Sequence, residues 1–477
     1  DTVPYPGRCN YGSNNTSTSN KCSLVNDMQQ APAYIAATDA QGTDEKCVVV
    51  PNEIITPAAP ELVNLVIEAA RDDLEGVKVA TVTDLADGLR LIGITSDDSQ
   101  RVAQLVRETG MPASPQYYFI PTPRWKWGPG GDAVPAPPHP FPDTAPGGND
   151  GLVVTVIDTG YPAEDMTFAS PSLQSSGPVE PDDIGFRFAG HGLFVAGVVR
   201  QMAPNSEIYM RSPYTTETLP DSFDMPGVPA ALETTLVNEI DSAVGKELAQ
   251  GGVLNISGGT YACESEGIPL ALAASVARLK AADITLVASA GNDGLAPDLV
   301  AIGGELDLAN TSQITDVMFP AGFAFNGTLR SPTFDAIRQL VVDDQFDLGA
   351  CGQMIETWAA SKDLVADVPG ELIDQSCLSL EELQRVLQEW PFENVLSVGA
   401  GIADTSDAAS FSNLGATHWA PGANVVSNYP ATVQWKVGDA TIGSLGAAQW
   451  DGTSFAAPYI AGLISRGDDV SALEPHQ

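Results

Sequence analysis

Apolar positions along residues 46–120 fall into two alternating spacings. Lys46 to Ile55 holds a valine-rich run with the composition of a β-strand. Pro60 to Asp73 places Leu62, Leu65, Val66 and Ala69 on one helical face. Val77 to Val82 and Leu89 to Ile94 are again short apolar runs, and Asp87-Gly88 between them signals a turn. Ser96 to Thr109 carries Val102, Leu105 and Val106 on one helical face, with Ser96 placed to cap it, and Gln116 to Ile120 closes the series as a strand. The order strand-helix-strand-strand-helix-strand is the ferredoxin-like arrangement.

From Leu152 the rhythm changes to continuous apolar strands separated by helical spacings. Val153–Ile157, Glu207–Arg211, Val253–Ser257, Thr285–Ala288 and Val395–Gly399 read as strands. Gly192–Gln201, Leu232–Gly251, Leu270–Ala282 and Thr453–Ile464 read as helices. Strands apolar at every position need cover on both faces, so the pattern predicts an α/β fold with a mostly parallel sheet between helices. Residues 296–390 break the rhythm and read as an insertion, with a polar helix over Leu378–Trp390. Nine prolines in residues 121–148 exclude packed helix or sheet, so a linker is placed at 121–149 and a domain boundary with it. Trp125 and Trp127 offer it a docking point on a neighbour. The resulting division is an irregular arm over 1–45, a small α/β unit over 46–120, the linker, and a large domain over 150–477.

Composition narrows the partners. Sixty-one acidic against 22 basic residues leave a net charge of −39, which disfavours nucleic acid and anionic membranes. The acidic coat suits a secreted protein first, and one adapted to high salt second. No apolar run reaches the ~18–20 residues of a membrane span. The chain begins at Asp1, as removal of a secretion leader would leave it and as artificial trimming would too. Six cysteines without a close Cys-x-x-Cys pair suggest disulfides rather than a metal site; proximity alone favours Cys9–Cys22 and Cys351–Cys377. Asn14-Asn15-Thr16-Ser17 and Asn255-Ile256-Ser257 are glycosylation sequons, the second of no use if its strand is buried.

The candidate chemistry lies in three distant segments. Gly452-Thr453-Ser454-Phe455-Ala456-Ala457-Pro458 sets a serine at a strand-to-helix junction. A serine hydroxyl needs a base within hydrogen-bond reach, and the base needs a group to fix its tautomer. Of the four histidines, His139 falls in the linker, His476 near the end and His418 in a loop before Ala420-Pro421-Gly422. Only His191 stands between glycines at the head of a small-residue helix. Asp158 ends the strand Val153–Ile157, where α/β proteins bind ligands. Asp158-Thr159-Gly160 alone also suits an aspartic protease, but no second such triplet exists.

These segments, in the order Asp158, His191, Ser454, resemble the subtilisin-like serine protease family. The resemblance covers roughly residues 150–295 and 391–465. It implies that His191 is base then acid, that Asp158 orients it, and that Ser454 is the nucleophile. Leu286 to Gly294 matches a further element, which implies an oxyanion donor at Asn292 beside the Ser454 backbone N–H. Ser257, Gly258 and Gly259 match the strand that pairs with substrate, facing Ala288, Ser289, Ala290 and Gly291 across the primary pocket. Ser410-Phe411-Ser412-Asn413 and Ala420-Pro421-Gly422 match elements of structural weight. Leu193-Phe194 depart from the family's Thr-His, and only 23 residues follow Ser454, which implies shortened final helices.

The resemblance also likens residues 46–120 to the family's propeptide, an intramolecular inhibitor, with a maturation cut between Tyr118 and Gly148. It implies a secreted, monomeric endopeptidase acting on polypeptides, needing no cofactor for the chemistry. Structural Ca²⁺ is compatible with the family, although no loop shows a ligand spacing. A sedolisin-type site is disfavoured because His191 is a histidine rather than a carboxylate. A catalytically silent peptide-binding protein on the same fold and a narrow processing protease are the rival readings.

Overall fold

The computed structural model describes residues 37–38, 44–45, 49–121, 133–137, 151–160, 173–175, 190–215, 229–260, 268–292, 318–324, 348–388, 392–403, 407–409, 411–413, 416–430, 434–437, 440–443, 446–471 and 473. Most of the expected arm and linker, Cys9, Cys22, Trp125, Trp127, His139 and His476 lie outside them.

The N-terminal unit is built from β1 (Val49–Thr56), α1 (Pro60–Ala69), β2 (Val79–Asp84), β3 (Arg90–Ile94), α2 (Ser99–Arg107) and β4 (Ser114–Phe119). Its antiparallel sheet runs β4-β1-β3-β2. Pro60 opens α1, where a missing N–H is not needed. Leu62, Val63, Val66 and Ile67 form the buried stripe of α1. Asp87 (φ 57°) and Gly88 (φ 72°) turn β2 into β3 with left-handed backbone. Ser96 does not cap α2: the preceding position belongs to Asp98, and no side chain caps the end. Ser99 turns inward instead and donates from Oγ to the Val50 carbonyl at 2.7 Å.

The larger part follows in the order β5 (Val154–Ile157), β6 (Leu173–Ser175), α3 (His191–Met202), β7 (Ile208–Arg211), β8 (Ala231–Leu232), α4 (Glu233–Lys246), β9 (Val253–Ile256), α5 (Leu270–Ala281) and β10 (Thr285–Ser289). Then come α6 (Leu348–Ser361), α7 (Gly370–Leu387), β11 (Val395–Ile402), β12 (His418–Ala423) and α8 (Thr453–Arg466). Seven strands form one parallel sheet, β12-β11-β10-β9-β5-β7-β6. The alternation of strand residues divides its two faces. Val154, Val156, Val253 and Val287 pack with α3 and α8 around Phe194, Phe455 and Ile460. Ile157, Leu254, Ile256 and Leu286 pack with α4 and α5 around Leu236, Ile240 and Leu272. Asn255 is fully buried in the central β9, so its sequon cannot be modified in the folded chain.

Three further expectations are corrected. Within the stretch expected to exclude sheet, Val134–Pro135 pair antiparallel with Gln449 and Ala448. His418 opens β12 rather than lying in a loop. β12 is an edge strand, and an edge tolerates Pro421, whose missing N–H would interrupt an inner ladder. The helix expected over Leu378–Trp390 runs over Gly370–Leu387 and pairs with the earlier α6. A disulfide joins Cys351 of α6 to Cys377 of α7, with Cα atoms 5.8 Å apart.

The N-terminal unit docks through its sheet. β8 adds to β4 as a fifth strand, and Ile55, Tyr117 and Phe119 enter the core built on α4 and α5.

Candidate active site

In the parallel sheet, β5 lies between β7 and β9, and the strand order reverses around it. The carboxyl ends of such strands open a crevice. Asp158 follows β5 there and is fully buried. Its Oδ1 accepts from the Thr159 amide at 2.7 Å and lies 2.6 Å from His191 Nδ1. With a carboxylate as acceptor, Nδ1 is the protonated nitrogen and Nε2 the basic one.

His191 is the first residue of α3 and is also fully buried. Gly190 enters the helix at φ 79°. Gly192 donates to Thr159 Oγ1 at 2.9 Å, which ties the helix start to the residue after Asp158. A Cβ on Gly192 would lie 1.9 Å from the Thr159 carbonyl oxygen, so only glycine allows this approach. The imidazole stands edge-on to Trp450 and tilted against Phe455, with both ring centroids at 5.3 Å. Nε2 is buried and, among the described residues, has no hydrogen-bond partner.

Ser454 is the second residue of α8, one place before the Phe455 that touches the imidazole. Its hydroxyl donates to the Ser257 carbonyl at 2.8 Å, while Ser257 Oγ donates to the Ser454 carbonyl at 2.8 Å. Asn255 Nδ2 donates to Ser257 Oγ at 2.9 Å and so orients that hydroxyl. The serine hydroxyl is thus held on the Ser257 carbonyl rather than on the imidazole.

Asn292 lies just beyond β10. Its Oδ1 accepts from Thr453 N at 2.8 Å and Thr453 Oγ1 at 2.9 Å. A backbone N–H can only donate, so these contacts fix the oxygen end of the carboxamide and leave the NH₂ end as donor. Thr453 Oγ1 also accepts from Gly291 N at 3.2 Å. The wall Ala288 to Gly291 is braced from behind: Ala290 O accepts from Met318 N and Asn413 Nδ2, and Asn413 N donates to Gly291 O. Because Ile256 pairs with Ala288, Ser257 comes beside Ser289, and both sides of the expected pocket meet at the ends of adjacent strands.

Gly259 forms both hydrogen bonds of an antiparallel pair with Ile120, at 3.1 and 2.9 Å. The strand that faces Ser454 is therefore occupied by the tail of the N-terminal unit. A Cβ on Gly258 would meet Tyr214 Oη at 2.6 Å, the Ile120 carbonyl at 2.7 Å and Pro121 Cα at 2.9 Å. The Tyr214 phenol is held well above its usual range by burial and then by the charge of Asp158. Thr453, Tyr214, Trp450 and Ile120 belong to the site without having been singled out from the sequence. Only Thr453 carried a signal, its place beside Ser454. Among the described residues no group of three or more His, Cys, Asp or Glu is placed to hold a metal ion, and no helix is long and apolar enough to cross a membrane.

The model of the subtilase family matches residues 149–466. No curated protein matches the chain. Solved structures of similar fold include fervidolysin from Fervidobacterium pennivorans, a keratinolytic enzyme related to subtilisin. It is 12% identical with a TM-score of 0.46, over 89% of this chain and 57% of that one. The epidermin leader peptide processing serine protease of Staphylococcus aureus is 13% identical with a TM-score of 0.39, over 87% of each chain. MycP3 protease of the type VII (ESX-3) secretion system is 19% identical with a TM-score of 0.35, over 74% of this chain and 88% of that one. With two thirds of its length matched by that one family model, the chain belongs to the subtilase family.

Proposed function

We propose that this chain is a secreted serine endopeptidase that cleaves polypeptides through an acyl-enzyme on Ser454. An extended substrate adds as a strand along Ser257, Gly258 and Gly259, taking the hydrogen bonds that Ile120 now holds. Ser454 Oγ then turns from the Ser257 carbonyl to His191 Nε2. As Oγ attacks the scissile carbonyl, Nε2 takes its proton, and Asp158 stabilises the imidazolium through Nδ1–H. The oxyanion is received by the Asn292 NH₂ and the Ser454 backbone N–H. His191 returns the proton to the leaving amine, and water repeats the sequence to free the acid.

The observation that carries this reading is the state of His191. One nitrogen is bound to a buried carboxylate, and the other is buried and unengaged beside the helix that bears Ser454. The Cys351–Cys377 disulfide supports an oxidising compartment. The Ile120–Gly259 pair supports the N-terminal unit as an intramolecular inhibitor.

A serine-directed phosphonate tests the chemistry. Peptide mapping should find the label on Ser454, and Ser454→Ala should take none. No labelling of a folded chain whose cleft binds peptide would favour the silent peptide-binding protein. Cleavage of a peptide library then separates broad from narrow specificity.

A further inference from the structure

The hairpin α6–α7 lies within the stretch set apart as an insertion, yet its apolar face completes the core of the N-terminal unit. One buried cluster joins Leu62, Val66 and Val106 to Ile355, Trp358 and Leu380, and the Cys351–Cys377 disulfide sits inside it. Ser376 Oγ accepts from the Ala59 amide at 3.0 Å, a buried bond between residues 317 apart in sequence. The Asp87-Gly88 turn approaches α7 so closely that a Cβ on Gly88 would lie 2.5 Å from the Ser379 carbonyl oxygen.

The other face of the same sheet is covered too. In β1, Ile54 points into the cluster with the hairpin while Ile55 joins the core on α4 and α5. Glu233, at the start of α4, accepts from Ala271 N at 2.8 Å and Leu272 N at 3.1 Å, and its second oxygen lies 3.4 Å from Tyr117 N of β4. Arg278 of α5 pairs with Asp87. The N-terminal unit is therefore gripped on both sides by the larger part. Its tail, by contrast, meets the cleft among the described residues through the Ile120–Gly259 pair and, further along, the short pairing of Val134 and Pro135 with Gln449 and Ala448.

We infer that the N-terminal unit is a permanent subunit: after a cut in the linker it stays seated between α4–α5 and the α6–α7 hairpin, and only its tail leaves the cleft to admit substrate. The contrast in what is exposed argues for this. Freeing the tail returns a few backbone hydrogen bonds to water, whereas freeing the unit exposes a core that two segments share. The admission of substrate rests on the protease reading; the retention does not.

Retention is tested in full-length Ser454→Ala carrying a foreign protease site within residues 138–148. After that site is cut, both fragments should co-elute in gel filtration and remain together on dilution to nanomolar concentration. Trp358→Asp with Leu380→Asp should separate them, with at least a 100-fold loss of affinity. If that variant fails to fold, Leu380→Ala should raise the dissociation rate about tenfold, the effect of roughly one lost methyl-rich contact. Separation of the otherwise unaltered fragments, or a Leu380→Ala rate equal to the parent, overturns the inference. With Ser454 restored, peptide hydrolysis should co-elute with the paired fragments. Activity confined to fractions lacking the N-terminal fragment overturns the tail-only opening while leaving the protease reading intact.

Discussion

Gly192→Ala tests the geometry on which the proposed chemistry depends. The new Cβ would lie 1.9 Å from the Thr159 carbonyl oxygen. A carbon–oxygen contact relaxes at about 3.4 Å, so the helix start and the strand end must part by roughly 1.5 Å. His191 precedes Gly192 and Asp158 precedes Thr159, so the parting falls on the 2.6 Å bond between them. That bond then exceeds the ~3.2 Å limit of a good hydrogen bond. Misplacement on the order of 1 Å costs about 10² in turnover, and full loss of the orienting carboxylate about 10⁴, so kcat should fall by 10²–10⁴. KM should change little, because the close contacts of the new Cβ are with Thr159 and Met210 rather than with Ser257 to Gly259. Overpacking of this kind destabilises by about 1–3 kcal/mol, which thermal unfolding should register without loss of the fold. The assay pairs the phosphonate labelling rate with steady-state peptide hydrolysis. A folded variant labelled within twofold of the parent rate would refute the argument.

Asn292→Ala should lower kcat by about 10²–10³, the magnitude attached to one oxyanion donor in subtilisin, with KM nearly unchanged; steady-state kinetics on one peptide decides it. Burial pushes Glu233 up from its ordinary 4.5 to about 8, against the backbone N–H groups of Leu272, Tyr117 and Ala271. The folded state then keeps a proton that the unfolded chain loses, so stability should fall as pH rises from about 4.5 to 8, by up to ~1.4 kcal/mol per unit, and level off above. Glu233→Gln should flatten that slope in urea titrations run at pH 5, 6, 7 and 8. Removing the disulfide by Cys351→Ser with Cys377→Ser opens a loop of 26-residue separation. Chain entropy sets the loss at about 3.5 kcal/mol at most, and a reducing agent should lower the melting temperature of the parent by more than that of the double variant.

Much of the parallel sheet was legible because strands buried on both faces read as unbroken apolar runs, and β5, β9 and β10 do so. The candidates Asp158, His191 and Ser454 stood out by their neighbours, a strand end, a glycine and a small-residue helix, and Asn292 through the family resemblance. The structure brings the first two into contact and locks the last to Thr453. β12 was not legible, because Ala420-Pro421-Gly422 has turn chemistry, and only its edge position makes proline harmless there. The α6 stripe of Cys351, Ile355, Trp358 and Ala359 has helical spacing, but no local pattern tells an amphipathic helix which surface it will cover. Ser96 misled because a serine before an apolar face suits a cap, whereas Ser99 had a carbonyl to bond on β1.

The shared core also orders events during synthesis. About 270 residues separate Phe119, which ends the last strand of the N-terminal unit, from Leu387, which ends the hairpin. At ribosomal speeds that is roughly 15–50 s of elongation. Until Trp358 and Leu380 have left the ribosome, the face they cover has only solvent or a chaperone against it. A unit made before the larger part is thus among the last to close.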